Sequence, residues 1–269
     1  MRHPLRFCLP SNAPEVNLLA GPEVLVLETF SADGYAKGKD AWSSHLENDP
    51  DNLRILKHAA NFLRQDDRQL AIQILSHARS LDQEGPDWAT QLGHIHQLDG
   101  ILRDGAWDPE AAKRALAQFE LAYELSDELG RGHLLRELGT SAFQAGNIER
   151  ATAYAEEMLE GNAEDWNRGN RIHYGNLILG RIALLEGNTE EAKSRLVAAG
   201  ETPGSPQLDS FGSDMTLARD LLEHGETDAV LEYLSLCSKF WELGRGDLDR
   251  WIAQIKDGTT PDFGRNLMF

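Results

Sequence analysis

The sequence contains few cysteines and is short of positive charge. Only Cys8 and Cys237 occur among 269 residues, so neither a disulfide framework nor a Cys-x-x-Cys metal or redox site is expected. Lysine and arginine number 26 against 44 aspartate and glutamate residues, which makes a formal net charge of −18. Because nucleic acids and anionic membranes are bound mainly through basic side chains, this shortage argues against both kinds of partner.

Long apolar runs are absent as well. No stretch approaches the roughly 18 apolar residues that a membrane-spanning helix requires, and the apolar stretches near the N-terminus are interrupted by Gly21, Pro22 and Glu23. These features, with the low cysteine count, predict a cytoplasmic protein. Hydrophobic residues make up 41% of the chain and charged residues 26%, which is typical of a folded protein.

The chain does contain a repeated spacing of small and apolar residues. A small residue is followed after twelve positions by a second small or apolar one, then by others after four and three more. Five such copies are Ala59, Ala71, Leu75 and Ala78; Gly93, Ala115, Phe119 and Ala122; Gly139, Ala151, Ala155 and Met158; Gly180, Ala192, Leu196 and Ala199; and Ala218, Val230, Leu234 and Cys237. In the second copy the first interval is 22 residues, which predicts a longer loop across Arg103 to Pro109.

Glycines mark where the first helix of three copies must end. Gly146, Gly187 and Gly225 stand there, because glycine readily adopts the left-handed conformation that follows a helix. The small residue that opens each copy predicts a close approach of the two helices of a pair, and the neighbouring leucines predict a filled layer between successive pairs. The pattern therefore indicates stacked helix hairpins.

This spacing resembles the tetratricopeptide-repeat family over about residues 52–242. The copies depart from the family because only Phe62 matches its aromatic position and its terminal proline is missing. The resemblance implies an all-α fold, a right-handed α-solenoid of about five degenerate helix hairpins with capping helices. The segment from His173 to Phe240 is also similar to part of bacterial tetratricopeptide proteins, and this likeness implies no activity.

Three regions are predicted along the chain. Residues 1–38, rich in turn residues, form an N-terminal extension, residues 39–258 form the helical solenoid, and residues 259–269 form a C-terminal tail. A helix containing Trp42 ends before Pro50, and a stripe that includes Trp251 predicts a C-terminal capping helix. Because the tail is rich in apolar residues, we expect it to pack on the last repeat or its cap; binding to another chain is the alternative.

No motif predicts catalysis, a metal or a cofactor. His94 and His96 are two positions apart and point to different sides of a helix, so they are poor co-ligands. Asp262-Phe263-Gly264 lacks the other elements of a protein kinase. We therefore expect no catalytic residue, no bound metal and no cofactor. His133 and His173 begin two first helices, where they lie either in a groove or at exposed helix ends.

The family resemblance implies a groove, lined by the first helices, that binds a protein or peptide. Three arginines in this groove would favour an acidic segment or a C-terminal carboxylate, and salt bridges within or between repeats are the alternative for them. An enzyme or small-ligand-binding protein with its site in the same groove, and a homo-oligomer, are the alternative functions. The partner-binding residues implied by the register are Arg136, Thr140, Phe143, Gln144, Tyr174, Leu177, Arg181 and Arg219.

Overall fold

The structure, a computed structural model, describes residue 29 and residues 31–101, 107–161 and 166–267. Helices dominate these ranges, where the only extended pairing is a single bridge between Ile101 and Trp107. The predicted all-α fold class is confirmed. The chain divides into two compact units, Met1–Leu98 and Asp99–Phe269, and each is described by itself.

The first unit contains three complete helices and most of a fourth. Asn52 begins the second helix, because its side chain accepts hydrogen bonds from the backbone N–H groups of Arg54 and Ile55. The last two residues of the fourth helix belong to the second unit. These helices are α1 (Ala32–Asn48), α2 (Leu53–Leu63), α3 (Arg68–Leu81) and α4 (Pro86–Gly100).

Helix α1 begins within the region assigned to an N-terminal extension. The Ser31 side chain caps it by accepting from the Gly34 N–H at 3.2 Å, and the Tyr35 ring stacks on the Phe62 ring with centroids 5.3 Å apart. A Cβ at Gly38 would lie 2.4 Å from Phe62 Cζ, so the ring needs a glycine there. Glycines interrupt the apolar periodicity that would have revealed this helix. The rest of the extension, residues 1–28 and residue 30, lies outside the described residues.

The second unit contains three complete helix pairs that follow the predicted copies. The first helices α6, α8 and α11 pack on one another in chain order, and the second helices lie behind them, with α9 packed on α12. The helices of this unit are α5 (Pro109–Leu125), α6 (Glu128–Gln144), α7 (Ile148–Glu160), α8 (Arg168–Leu185), α9 (Thr189–Gly200), α10 (Pro206–Phe211), α11 (Thr216–Glu223), α12 (Thr227–Cys237) and α13 (Arg245–Lys256).

The repeat spacing is confirmed by burial, since every residue of the five copies is buried. The three turn glycines have φ values of 76°, 79° and 83°, as a helix end of this type requires. In the second copy, α4 ends at Gly100 and α5 begins at Pro109, so the connection between them is longer, as predicted. Residues 102–106 of this connection lie outside the described ranges.

The small residues of the first helices lie close to the second helix of their own pair, as predicted, and also close to the next first helix. A Cβ at Gly139 would lie 2.8 Å from Ile178 Cδ1 on α8, and one at Gly180 would lie 2.4 Å from Leu217 Cδ2 on α11. Within the pairs, the same Cβ positions would lie 3.7 Å from Tyr154 Cβ on α7 and 3.1 Å from Arg195 Cβ on α9, so the two helices of a pair also approach closely. The contacts to the next first helix give the side-by-side arrangement that positions the candidate site.

The C-terminal end of the second unit is closed by α13 and the tail. Trp251 is 2% exposed, and its indole N–H donates to the Asp262 carbonyl oxygen at 3.2 Å. The Phe263 ring lies 5.1 Å from the Trp251 ring, and the Asn266 carbonyl accepts from the Met215 N–H at 2.8 Å. The predicted cap and docked tail are thus confirmed as far as residue 267, whereas residues 268 and 269 lie outside the described residues.

Candidate functional site

Four of the predicted groove residues form two cation–π pairs between α6 and α8. The Arg136 guanidinium lies 3.9 Å from the centroid of the Tyr174 ring, and the Arg181 guanidinium lies 4.6 Å from that of Phe143. The pairs are seven residues apart on each helix, which is about two helical turns. In one pair α6 supplies the arginine and α8 the aromatic ring, and in the other pair the two helices have the opposite roles. Each pair joins the two first helices and holds its arginine in a defined position.

Arg181 and Arg219 share one carboxylate. Asp220 Oδ2 lies 3.3 Å from Arg181 Nε, and its Oδ1 lies 3.0 Å from Arg219 Nη2. Burial lowers the pKa of Arg181, and the Asp220 carboxylate opposes that shift. For Arg181 and Arg219, the structure therefore agrees with the alternative that the arginines form salt bridges within or between repeats. Arg136 differs, because no carboxylate among the described residues lies within 4.0 Å of its guanidinium.

Arg136, Thr140 and Gln144 follow one another at intervals of four along α6 and so share one side of the helix. We call these three residues the α6 polar stripe. Thr140 is 7% exposed. Its Oγ1 and both amide atoms of Gln144 are buried, and none of the three has a hydrogen-bond partner in the described part of the chain. Buried polar atoms are paired in the great majority of cases, so this stripe is unusual.

Two predicted contact residues lie inside the protein. Leu177 is 1% exposed and Tyr174 is 5% exposed, and burial raises the pKa of the Tyr174 hydroxyl to about 12. The Tyr174 ring is covered by Arg136 and Leu177 has almost no surface, so in this structure neither is available to a partner. Their role in this structure is to support Arg136 and the packing of α6 on α8, which corrects the prediction that they contact a partner.

A cavity of about 160 Å³ opens beside Arg136, and we call it the α6–α8 pocket. The His133 and Trp166 rings approach to 5.2 Å at its edge. Within it, the Asn170 side-chain amide donates to Asn167 Oδ1 at 2.8 Å and to Gln207 Oε1 at 3.2 Å. The pocket is lined by Gly132, His133, Arg136, Glu137, Met158, Trp166, Asn167, Asn170, Arg171, Tyr174 and Gln207.

Comparisons with known proteins give fold matches but no sequence match. No family model matches the chain, and no curated protein matches it either. The structure of YrrB, described as a TPR protein with an unusual peptide-binding site, is 18% identical with a TM-score of 0.46, covering 82% of this chain and 99% of YrrB. The PilF structure from Pseudomonas aeruginosa is 15% identical with a TM-score of 0.50, covering 91% of this chain and 97% of PilF.

The chain has the tetratricopeptide-repeat fold. At this level of identity the likeness concerns the fold alone, and it agrees with the buried repeat spacing. The site must therefore be interpreted from this chain's own residues.

Beneath the first helices of this tetratricopeptide fold lies a buried carboxylate that sequence reasoning missed. Asp214 has no exposed surface; its Oδ1 accepts from the Thr216 N–H at 2.8 Å, and its Oδ2 has no hydrogen-bond partner. Burial raises the pKa of Asp214, and the charges of Arg136 and Arg181 oppose that rise. The available signal was an aspartate close to the start of α11, a residue type that is common at helix N-termini.

His173 is fixed as a neutral side chain in the same buried region. Its Nδ1 lies 3.1 Å from the Ala199 carbonyl oxygen, and its Nε2 lies 3.3 Å from the Asp214 backbone nitrogen. Because a backbone N–H can only donate, Nε2 is the acceptor and Nδ1 carries the proton. Burial lowers the pKa of His173 to about 4. His173 is therefore a packing residue, whereas His133 is exposed at the edge of the α6–α8 pocket.

The connection between α9 and α10 is attached to the start of α8. Thr202 Oγ1 donates to the Gly169 carbonyl at 2.8 Å, and Ser205 Oγ donates to Asn170 Oδ1 at 2.6 Å. A Cβ at Gly169 would lie 1.8 Å from the Gly204 carbonyl oxygen, so only glycine permits this contact. These bonds hold the amide of Asn170, and with it one wall of the α6–α8 pocket, in place.

Neither a metal centre nor a membrane segment is found where the structure describes the chain. No group of three or more His, Cys, Asp or Glu side chains in these ranges could hold a metal ion. No helix there is long and apolar enough to cross a bilayer. The cytoplasmic location stays a prediction.

Proposed function

We propose that the second unit binds an extended segment of another polypeptide across the α6 polar stripe. The observation that carries this proposal is the pair of unpartnered polar side chains one turn apart, the Thr140 hydroxyl and the Gln144 amide. Stacked helix repeats generally present the surface of one helix layer to their partners, and α6 lies in the first-helix layer.

The chemistry of Gln144 suits a peptide main chain. A carboxamide offers one acceptor oxygen and two N–H donors, which is the complement of the N–H and C=O groups of an extended peptide. A buried polar group left unpaired costs about 1–3 kcal/mol. Because these atoms have almost no exposed surface, the two side chains must turn towards the partner to pair with it. A partner that pairs with Gln144 and Thr140 would then remove part of that cost, whereas a partner without polar groups would not.

The ion pairs on this face change the kind of partner that the sequence predicted. An acidic segment or C-terminal carboxylate was expected because three arginines converge on the groove, but Asp220 pairs with both Arg181 and Arg219. With those cations occupied, we propose recognition of the main chain by the stripe. The half-buried Phe143 beside Gln144 then offers an apolar contact for one side chain of the segment.

Selection from a displayed library of random peptides, followed by fluorescence anisotropy on the enriched peptides, tests this proposal. We expect Gln144→Ala to weaken peptide binding about tenfold, or roughly 1.4 kcal/mol, and Thr140→Val to weaken it less. Gln73→Ala is the matched control, because Gln73 is an exposed glutamine on α3 far along the sequence from the stripe. Its affinity should equal that of the unchanged protein.

Two results would contradict the proposal. One is a library from which no peptide is enriched; the other is peptide affinity that Gln144→Ala leaves unchanged while circular dichroism shows an intact fold. Sedimentation at several concentrations tests the homo-oligomer alternative. If the protein forms a dimer that Gln144→Ala dissociates, the stripe binds a second copy of this chain and not a separate peptide.

A further inference from the structure

The α6–α8 pocket is small and mainly polar. Its volume of about 160 Å³ is close to that of an engineered cavity of ~150 Å³ that holds one benzene molecule. A folded peptide or a nucleotide would not fit in such a space, whereas a molecule of a few heavy atoms would. The pocket therefore suits a small polar molecule.

Three charged side chains line this pocket, Arg136, Glu137 and Arg171, and the first two form no ion pair with each other. Arg136 has no carboxylate within 4.0 Å among the described residues, and Glu137 Oε2 is buried without a hydrogen-bond partner there. Both residues line the pocket, but adjacent residues of a helix do not face each other, so Arg136 and Glu137 do not pair. Buried charges are normally paired.

The rest of the pocket is already organised for a ligand. Tyr174 holds the guanidinium of Arg136 over its ring, 3.9 Å from the centroid, and a guanidinium held in this way can form a fork on a carboxylate. Asn170 is held by Asn167, Gln207 and Ser205. The exposed Trp166 offers an aromatic surface beside these polar groups.

From this juxtaposition we infer that the α6–α8 pocket binds a small zwitterion, a free α-amino acid. Arg136 binds its carboxylate, Glu137 binds its ammonium group, and Trp166 packs against its side chain. An inorganic anion would leave Glu137 unpaired and would be repelled by it, and a metal ion would be repelled by Arg136. Only a ligand that carries both charges satisfies both residues. This site shares Arg136 with the α6 polar stripe but includes neither Thr140 nor Gln144, and it does not depend on the peptide proposal.

The test is a thermal-shift screen of the full-length protein with each proteinogenic amino acid at about 10 mM, followed by calorimetry on those that bind. We expect one or a few amino acids to raise the melting temperature. The N-acetyl and the carboxamide derivatives of the best ligand should each bind at least about tenfold more weakly, because each lacks one of the two charges.

Variants then assign the binding to the pocket. Glu137→Gln keeps the shape of the side chain and removes its charge, so it should weaken amino-acid binding about tenfold or more. Glu156→Gln is the matched control, since Glu156 is an exposed glutamate on the neighbouring helix α7 and does not line the pocket. Gln144→Ala should also leave amino-acid binding unchanged, because Gln144 does not line the pocket.

Several results would overturn the inference. They are a screen in which no free amino acid shifts the melting temperature, equal binding of the N-acetyl derivative, and unchanged affinity in Glu137→Gln. Peptides with a free C-terminus form a further arm of the experiment. If they bind through Arg136 while free amino acids do not, the pocket recognises a chain end and the free-zwitterion assignment is wrong.

Discussion

The two units share one repeat spacing but bury different kinds of side chain. In the described part of the first unit, residues 31–98, the buried side chains are all aliphatic or aromatic, as in the cluster around Leu56 and Leu75. In the second unit Ser141, His173 and Asp214 have no exposed surface at all. The repeat therefore specifies how helices pack, and it leaves open what else the interior contains.

The buried polar residues of the second unit lie where the chain departs from the simple repeat of helix pairs. They concentrate where the long connection after α9, with its short helix α10, returns to α8. There the Tyr233 hydroxyl donates to the Asp214 carbonyl at 2.7 Å, and the Asn266 amide donates to the Ser213 carbonyl at 3.0 Å. An apolar core is stabilised by burial alone, whereas this region depends on hydrogen bonds and on protonation states.

The largest expected effect comes from Gly212→Ala at the edge of the polar region. Gly212 has φ 89° and ψ 177°, a combination that is essentially restricted to glycine, and a Cβ there would lie 2.4 Å from Trp241 Cζ2. Backbone strain and the clash with a buried ring together should lower the free energy of unfolding by about 4 kcal/mol or more. Chemical denaturation monitored by tryptophan fluorescence measures it.

Gly246→Ala is the control for this substitution. A Cβ at Gly246 meets nothing within 4 Å and the residue lies in α13, so alanine there should be neutral or stabilise by up to about 1 kcal/mol. Equal stability of the two variants would show that the α10–α11 connection tolerates a side chain, and the contrast between the two interiors would lose its strongest support.

A smaller effect is expected from Leu75→Ala in the apolar interior of the first unit. Leu75 is 1% exposed, so the truncation leaves a cavity and should cost about 3 kcal/mol. Because its surroundings are apolar, the loss should be the same at pH 5 and pH 7. Urea titrations at both pH values measure it, and a loss that differed by more than about 1 kcal/mol would contradict a purely apolar core.

The smallest effect is a pH dependence that belongs to His173. Its pKa is lowered by burial to about 4 in the folded protein, against about 6.5 in an unfolded chain. Below pH 6.5 the unfolded chain therefore binds a proton that the folded protein does not, and stability falls as the pH falls towards 4. Between pH 7 and pH 5 His173 should reduce the free energy of unfolding by about 2 kcal/mol.

The variant His173→Gln isolates this contribution. It cannot titrate, so its stability should change by about 2 kcal/mol less between pH 7 and pH 5 than that of the unchanged protein. Asp214 contributes in the opposite direction, because its raised pKa favours the folded state at low pH, but it is present in both proteins and largely cancels in the comparison. Identical pH slopes would mean that His173 is protonated or solvated in the folded state.

Much of the site could be predicted from the sequence, but its internal pairing could not. Counting from the repeat register placed Arg136, Phe143, Tyr174 and Arg181 on the first helices, and these four residues do meet. The sequence did not predict that Tyr174 is buried or that Asp220 pairs with two arginines. Both facts depend on which side chains face each other across α6, α8 and α11. A spacing of small residues specifies a helix face but not the rotation of the next helix against it.

The sequence by itself determined the helix pairs, their turns and the closing of the C-terminal end, because these follow from local periodicity, glycine at helix ends and an apolar tail. Only the tertiary structure decided that Asp214 and His173 are buried, that Glu137 and Arg136 face one pocket, and that α1 begins at Ala32. Each of these depends on contacts between residues distant along the chain, such as Tyr35 on Phe62 or His173 against Asp214. Local propensity carries no information about such contacts, since their free energy arises only when the helices have packed.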